Sequence, residues 1–210
     1  MQITYAIGVC NEHNELHSLL TFLKRTKDER DDINVLVDSG KETPEVTCVL
    51  ELFSDDISVN RRLFDGDFAS HRNYHIEKCS GDYIFMIDAD EIPQEDLIRN
   101  IRQPFEKTEC DLVLVPRMNL CPGYTREWLK KYNFNANEVG FINWPDYQGR
   151  IFKNDPSIRW SKNLHEVVTG AKHPIRLDPM PSIGIWHIKS TERQETVSYT
   201  HLTLPTICSV

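Results

Sequence analysis

Residues 83–91 read YIFMIDADE, in which five apolar residues run directly into a segment with three carboxylates. A continuous apolar run without polar alternation is typical of a strand covered on both faces, as in a parallel sheet flanked by helices. Because alternate side chains of a strand share a face, we expect Asp88 and Asp90 on one side of its carboxyl end, with Ala89 turned away. Two like charges about 4 Å apart repel by about 4 kcal/mol at an effective dielectric of about 20, so a divalent cation is their natural neutraliser. The stretch predicts a metal site on an α/β sheet.

Strand and helix patterns alternate through the first 115 residues. Apolar, β-rich runs predict strands over residues 3–10, 33–37, 83–87 and 111–115. Helical patterns cover residues 12–27, 42–50 with Asp38 or Ser39 as cap, 68–79, and 94–105 opened by Pro93. This order predicts βαβ units and a parallel sheet. After residue 116 we expect a helix over residues 124–133 and strands over residues 149–153, 158–160 and 183–188 in a smaller mixed or antiparallel part.

Composition narrows the classes of protein that the chain can represent. It has 210 residues, 40% of them hydrophobic, a formal net charge of −8 and a sequence pI near 5.5. This acidic balance argues against broad nucleic-acid binding, which requires a basic face. No run of 18 apolar residues and no basic leader is present, so we expect no transmembrane segment and a cytoplasmic location, with peripheral membrane contact still open. The six cysteines form no CxxC pair, which disfavours a zinc site.

Three of the predicted strands end in acids or amides. The first ends at Asn11 and Glu12, the second at Asp38, and the central one at the Asp88 and Asp90 pair. Ligands of open α/β sheets bind outside the carboxyl ends of the strands, so these side chains are expected to converge. Taken singly, Asp38 could cap a helix and Glu12 could complement a helix dipole.

Four segments carry a resemblance to a known family. They read YAIGVCNE (5–12), VDSG (37–40), FASHRNYHIEKCSGDYIFMIDADEIP (68–93) and GRIFKNDPSIRWSKNLHE (149–166). Together they resemble the family 2 glycosyltransferases of the GT-A fold, over about residues 3–190. The resemblance implies a Rossmann-like, mainly parallel central sheet with flanking helices, and transfer of a sugar from a nucleoside diphosphate to an acceptor hydroxyl, with inversion.

The resemblance also implies roles for the residues near the donor. Asp38 matches the acid aimed at the nucleotide base, and Asn11 and Glu12 lie where the first strand meets the nucleoside. Asp88 and Asp90 match a DxD motif that binds the donor and holds Mn²⁺ or Mg²⁺. Arg72 resembles the basic residue that faces the diphosphate or holds the DxD in place, although a solvated arginine on a helix face is the simpler reading.

The later part of the site is expected around Leu164-His165-Glu166, which resembles the HE pair of these enzymes. His165 is a candidate metal ligand and Glu166 a candidate general base, with Glu91 as the rival base. His187 is a second possible metal ligand, and Arg150 could orient a substrate or form a cross-strand salt bridge.

Aromatic residues are dense in the second half of the chain. Most are expected in the core, with one or two facing the cleft as stacking platforms for a sugar acceptor. They are Tyr124, Trp128, Tyr132, Phe134, Phe141, Trp144 and Tyr147.

We therefore predict a metal-dependent glycosyltransferase with a nucleoside diphosphate sugar donor, most simply a UDP-sugar, and a glycan, lipid-linked or protein acceptor. The alternatives are a nucleotidyltransferase, disfavoured because residues 11–14 (NEHN) lack glycine, and a non-catalytic sugar-nucleotide or glycan-binding module. A phosphohydrolase is disfavoured because the DxD does not follow the first strand.

The predicted domain organisation is a single unit over residues 1–196. Residues 1–115 would form its nucleotide-binding half and residues 116–196 its acceptor half. Residues 197–210 resemble the translation of a sequencing-adapter read-through, so we expect a non-native tail in place of the natural C-terminus.

Overall fold

A computed structural model of the chain describes residues 1–163 and 165–192. The expected non-native tail, residues 197–210, lies outside the described residues. In chain order the strands and helices are β1 (Ile3–Val9), α1 (His13–Thr26), β2 (Asp32–Asp38), α2 (Pro44–Leu52), β3 (Ser58–Arg62), α3 (Phe68–Ile76), β4 (Tyr83–Asp88), β5 (Glu91–Pro93), α4 (Glu95–Asn100), α5 (Gln103–Lys107), β6 (Leu112–Leu120), α6 (Arg126–Lys131), β7 (Ile142–Lys153), β8 (Arg159–Ser161), β9 (Val167–Thr169), β10 (Pro174–Arg176) and β11 (Ile185–Ile188).

One large sheet organises the described residues. Its strand order is β3-β2-β1-β4-β7-β6-β11-β5, and β10 pairs with β6. The first four strands in this order are parallel, whereas β7 runs antiparallel between β4 and β6. A separate antiparallel pair is formed by β8 and β9. The predicted boundary at residues 115/116 falls within β6, so both predicted halves contribute strands to the same sheet.

Two hydrophobic layers cover the two faces of the sheet. Tyr5 and Ile7 of β1 pack with Leu16 and Leu20 of α1 on one face, and all four are fully buried. On the other face, Met86 of β4 joins the second core cluster with residues of α3 and β8. Burial on both faces explains why β1 and β4 are continuous apolar runs without alternation.

Several predicted boundaries were wrong. The cap of α2 is Thr43, whose side chain accepts from the Val46 N–H, and not Asp38 or Ser39. Pro93 ends strand β5 instead of opening a helix, and the predicted helix over residues 94–105 is divided into α4 and α5. The predicted helix over residues 68–79 ends at Ile76.

Strand β3 was not predicted. Its sequence, SVNRR, has no apolar run, which is acceptable for the strand at the edge of the sheet because one side of it borders solvent.

Within residues 1–163 and 165–192, no helix combines the length and apolar composition that crossing a bilayer requires.

Candidate active site

The carboxyl ends of β1, β2 and β4 lie at the same edge of the sheet, as predicted. Asp38 ends β2 and is 3% exposed. Its Oδ1 accepts hydrogen bonds from the backbone N–H groups of Gly40 and Phe64, at 3.0 and 3.1 Å. Asp38 therefore shapes the loop around the end of β2, and it does not cap α2.

Cys10 and Glu12 complete this corner of the edge. Glu12 is the N-cap residue of α1, and its Oε2 accepts from the N–H groups of Cys10 and Asn11 at 2.8 and 3.0 Å. The Cys10 Sγ lies 3.9 Å from Asp38 Oδ2. Burial, reinforced by the charges of Glu12 and Asp38, raises the pKa of Cys10 to about 12, so its side chain stays a neutral thiol.

Asp88, at the end of β4, is held between two arginines. Its Oδ1 lies 3.0 Å from Arg72 Nη2, and its Oδ2 accepts from Arg150 Nη2 at 3.0 Å. Burial raises the pKa of Asp88, but the charges of Arg72 and Arg150 outweigh this and hold the pKa well below its ordinary value. Asp88 is therefore a fixed anion.

Arg72 connects Asp88 to the predicted base. Its Nε donates to Glu166 Oε1 at 2.8 Å, and its guanidinium lies 4.8 Å from the centroid of the Trp160 ring. The neighbouring Asn73 exchanges two hydrogen bonds with the Trp160 backbone, both 2.9 Å long. Helix α3 and strand β8 are thus joined at the residue on which Arg72 stacks, which fixes the direction of its guanidinium.

Glu91 lies at the centre of the charged network and is fully buried. Its Oε1 accepts from Arg117 Nη1 at 3.0 Å and from Arg150 Nη2 at 2.6 Å, while its Oε2 accepts from the Asp88 N–H at 3.1 Å. Both carboxylate oxygens of Glu91 therefore accept hydrogen bonds from the protein itself. This placement suits a residue that positions Asp88 better than it suits a general base.

The network extends from Arg117 to Asp146. Asp146 Oδ2 accepts from Arg117 Nη2 at 2.7 Å and from Asn119 Nδ2 at 2.8 Å. Burial raises the pKa of Asp146, but the Arg117 charge and these hydrogen bonds leave the pKa below its usual value. The carboxylates of Glu166, Asp88, Glu91 and Asp146 face the guanidinium groups of Arg72, Arg150 and Arg117, and four against three leaves one formal negative charge.

Asp90 faces a different set of partners from Asp88. Its Oδ2 lies 3.6 Å from His187 Nε2 and 3.6 Å from Lys189 Nζ. Burial raises the pKa of Asp90, but the hydrogen bond and charge of His187, followed by the charge of Lys189, leave the pKa lowered. Asp90 is therefore also ionised near neutral pH.

The ring of His187 is held in one orientation by Asn119. Its Nδ1 lies 2.7 Å from Asn119 Oδ1, and Asn119 is itself fixed because its Nδ2 donates to Asp146. The Nδ1 must then be the donor. In the protonated ring Nε2 also carries a hydrogen and donates to the Asp90 carboxylate, whereas in the neutral ring it directs a lone pair at that side. In the neutral ring, the Asp90 carboxylate oxygen and the Nε2 lone pair are two groups that could contribute to a Mn²⁺ or Mg²⁺ site, with the ring held through its Nδ1.

The predicted metal ligands have different surroundings in the structure. Asp88 is engaged by arginines, and His165 is an exposed residue with a φ of 54°. Within the described part of the chain, no group of three or more His, Cys, Asp or Glu side chains could hold a metal ion by itself. A cation at Asp90 and His187 would therefore need further oxygen ligands from a bound substrate.

Four side chains around the candidate site escaped the sequence analysis, namely Arg117, Asn119, Asp146 and Lys189. Arg117 and Asn119 follow the apolar start of β6, which reads LVLVPRMNL, and their two-residue spacing places them on one face of the strand. That alternation was the available signal, and Lys189 directly follows the strand that holds His187.

Comparisons with known proteins identify the family and the fold of this chain. The model of the glycosyl transferase family 2 matches residues 5–164, which is more than half of the chain. The chain belongs to this family. Among curated proteins, none matches the chain.

Solved structures share the fold of this family 2 chain at low sequence identity. The structure of S. aureus TarS 1–349 in complex with UDP-GlcNAc is 13% identical, has a TM-score of 0.64, and matches 90% of this chain and 59% of that one. A longer TarS structure is 14% identical with a TM-score of 0.63, matching 94% of this chain and 38% of that one. The GT-A fold is thereby confirmed. The chain spans about three fifths of the length of the TarS 1–349 structure.

Proposed function

We propose that this chain is a metal-dependent glycosyltransferase that moves a sugar from a nucleoside diphosphate to an acceptor hydroxyl, with inversion at the anomeric carbon. The observation that carries the proposal is the Asp90 and His187 pair, 3.6 Å apart at the carboxyl edge of the sheet. Next to this pair, Asp88 is already neutralised by arginines, so Asp90 is the acid of the DxD that suits a cation.

The donor nucleoside would lie at the ends of β1 and β2. Asn11, Glu12 and Asp38 line this edge, and the backbone around them is held by the carboxylates of Glu12 and Asp38. TarS, which shares the fold, is seen with UDP-GlcNAc, so UDP-sugars are the donors to test first. Asp88 would meet the donor on the same edge.

Asp90 and His187 would hold Mn²⁺ or Mg²⁺. When bound there, the ion supplies positive charge that stabilises the departing diphosphate without a protonated acid. A cation is needed there because the charged network has a formal charge of −1 and does not by itself attract a diphosphate. His165 is kept as a second candidate ligand on the side of Glu166.

Glu166 is the proposed general base. Its side chain is 16% exposed and its Oε1 is directed by Arg72, so it can accept a proton from an acceptor hydroxyl. Arg72 positions Glu166 and Asp88 relative to each other. Glu91, the other predicted base, is assigned the task of fixing Asp88, Arg117 and Arg150.

The two predicted halves of the chain would bind different substrates. We propose that residues 1–196 act as a single unit in the cytoplasm, with the donor bound by the first half and the acceptor by the second.

A panel of nucleotide sugars with Mn²⁺ tests the proposal. We expect one donor to raise the melting temperature only when the metal is present, because a ligand that binds the native state stabilises it. The same donor should be hydrolysed slowly, and Glu166→Gln should lose hydrolysis while keeping the thermal shift. The absence of any shift at millimolar donor would overturn the proposal, and a shift without hydrolysis in the wild type would indicate a non-catalytic binding module.

A further inference from the structure

A small cavity opens beside His187, on the side away from the nucleoside edge. It has a volume of about 300 Å³ and lies between α6 and the ends of β6, β7 and β11. Its lining includes Asn119, Trp128, Phe134, Ile142, Asp146 and His187. We call it the β6–β11 pocket. Ligand sites usually measure about 300–1000 Å³, so this one has the size for a single ring and not for an extended chain.

The two walls of the β6–β11 pocket differ in chemistry. One wall is apolar, formed by Trp128, Phe134 and Ile142, and the ring centroids of Trp128 and Phe134 are 5.5 Å apart. The polar part of the lining includes Asn119 and Asp146, which are hydrogen-bonded to each other at 2.8 Å, and also Arg117 and Lys189. Trp128 is 8% exposed, and its buried Nε1 has no hydrogen-bond partner among the described residues.

A pyranose ring has the same two-sided character. Its axial C–H groups form an apolar face that packs on the negative face of an aromatic ring, while its hydroxyl groups need polar partners around the rim. A lipid chain would leave the carboxylate and amide wall without matching contacts, at a desolvation cost. The pocket therefore suits a sugar better than a lipid tail.

The β6–β11 pocket also has the right position for an acceptor. His187 lines it and lies 3.6 Å from Asp90, so the pocket and the proposed metal site share a side chain. The nucleoside edge at β1 and β2 lies on the opposite side of β4 in the strand order. A ring in the pocket would present a hydroxyl group near the diphosphate, on the side that the nucleotide leaves open.

We propose that the acceptor is a carbohydrate and that its terminal ring binds in the β6–β11 pocket, with Phe134 and Trp128 under its apolar face. This inference rests on the proposed function. In the transfer step the acceptor oxygen forms a bond to the anomeric carbon, the bond from that carbon to the diphosphate oxygen breaks, and the diphosphate leaves with the electron pair. The hydroxyl proton passes to Glu166.

The test compares Phe134→Leu with Tyr132→Leu. Tyr132 belongs to the same aromatic cluster, with its ring 5.0 Å from Trp128, but it does not line the pocket. Binding of methyl β-glucoside, methyl β-galactoside and methyl N-acetyl-β-glucosaminide is measured by saturation-transfer NMR without donor. For the glycoside that binds, we expect Phe134→Leu to weaken affinity about three- to tenfold, Phe134→Tyr to retain it, and Tyr132→Leu to leave it unchanged.

Circular dichroism confirms that each variant is folded. If Phe134→Leu does not fold, Asn143→Gly replaces it: Asn143 lines the pocket, and its φ of 54° suits glycine. We expect this variant also to weaken glycoside binding.

Mn²⁺-dependent hydrolysis of the donor, measured without acceptor in the same variants, separates the two hypotheses. Unchanged hydrolysis in Phe134→Leu together with weakened glycoside binding supports the inference. A raised donor KM in Phe134→Leu would show that the pocket holds the donor sugar and would overturn it. The inference also fails if none of the three glycosides binds the wild type, whereas glycoside binding without donor hydrolysis would count against the proposed function alone.

Discussion

Asp88 and Asp90 are two residues apart in the same motif, yet they have different cationic partners. Asp88 is paired with two guanidinium groups, Arg72 and Arg150, which are permanent cations. Asp90 faces a histidine and a lysine, each at 3.6 Å, a distance that leaves room for rearrangement. We call these the arginine side and the histidine side of the site.

The difference teaches that the two acids of a DxD can have separate tasks. On the arginine side, charge-assisted hydrogen bonds of 2.6–3.2 Å fix the end of β4 before any substrate arrives. On the histidine side, a looser pair with a directed imidazole lone pair can exchange its partner for a cation. The arginine side is rigid and positions the end of β4, whereas the histidine side is adaptable and can bind a cation. The two sides together form a preorganised site.

Among the variants that test the difference between the two sides, replacement of Asp90 should have the largest effect. We expect Asp90→Asn to lower kcat/KM for the donor about a thousandfold, because neutralisation of the leaving diphosphate is lost. Mn²⁺ titration of donor hydrolysis measures the change, and the Mn²⁺-dependent thermal shift should disappear with it. Asp55→Asn, which alters an exposed acid after α2, is the control and should behave as wild type. Retention of more than about a tenth of the activity would place the metal elsewhere.

Loss of charge at Glu91 should affect the stability of the protein on the arginine side. We expect Glu91→Gln to lower the free energy of unfolding by about 3 kcal/mol, because Arg117 and Arg150 would remain buried with too little negative charge. Urea unfolding followed by circular dichroism measures this.

Glu95→Gln is the matched control for Glu91→Gln. Glu95 forms an exposed i,i+4 pair with Arg99, for which we expect a change of about 0.5 kcal/mol or less. Equal effects of the two variants would contradict the view that the buried network holds the edge of the sheet.

The sequence carried much of the fold because its central elements are locally unambiguous. The run YIFMI is apolar on both faces, and Leu16, Leu19, Leu20 and Leu23 follow a helical period, so β4 and α1 were predictable. Strand β3 escaped prediction because its sequence, SVNRR, has no apolar run, and β5 escaped because its partner, β11, lies far along the chain. Pro93 was misread because a proline suits both a helix start and the end of a short strand.

The sequence analysis named candidate site residues one by one, His187 among them, but it could not predict which of them meet. The DxD and Arg72 came from local motifs, but the partner of Asp90 comes from β11, almost a hundred residues later. No spacing rule connects residues 90 and 187, since their contact arises from the antiparallel pairing of β11 with β5. Strand β11 also pairs with β6, and this second long-range pairing places Arg117 near Glu91.

Acid should weaken the arginine side through His75, which anchors helix α3. His75 is 1% exposed, and its Nε2 lies 3.2 Å from both the carbonyl oxygen and Oδ1 of Asn34. Burial, which outweighs the Asn34 hydrogen bond, lowers the pKa of His75 to about 3. The unfolded chain binds this proton near pH 6.5, so stability is lost as the pH falls from about 6.5 toward 3.

The measurement is the free energy of unfolding at pH 7 and at pH 5, for the wild type and for His75→Gln. We expect the wild type to lose about 2 kcal/mol more than the variant over this interval, since 1.5 pH units below the unfolded pKa correspond to about that energy. If the free energy of unfolding of the two proteins changes equally with pH, protonation of His75 does not destabilise the protein.

The variant with the smallest expected effect is Arg72→Lys, which tests whether the positive charge of Arg72 is sufficient or its geometry is also required. Lysine keeps the positive charge of Arg72 but cannot donate to Glu166 and Asp88 in two fixed directions or stack flat on Trp160. We expect Arg72→Lys to lower kcat about tenfold, or about 1.4 kcal/mol, with little change in the donor KM. Arg25→Lys, on the exposed surface of α1, should change neither constant. If the donor KM rises while kcat is unchanged, Arg72 binds the donor directly, and the arginine side is then part of the adaptable half of the site.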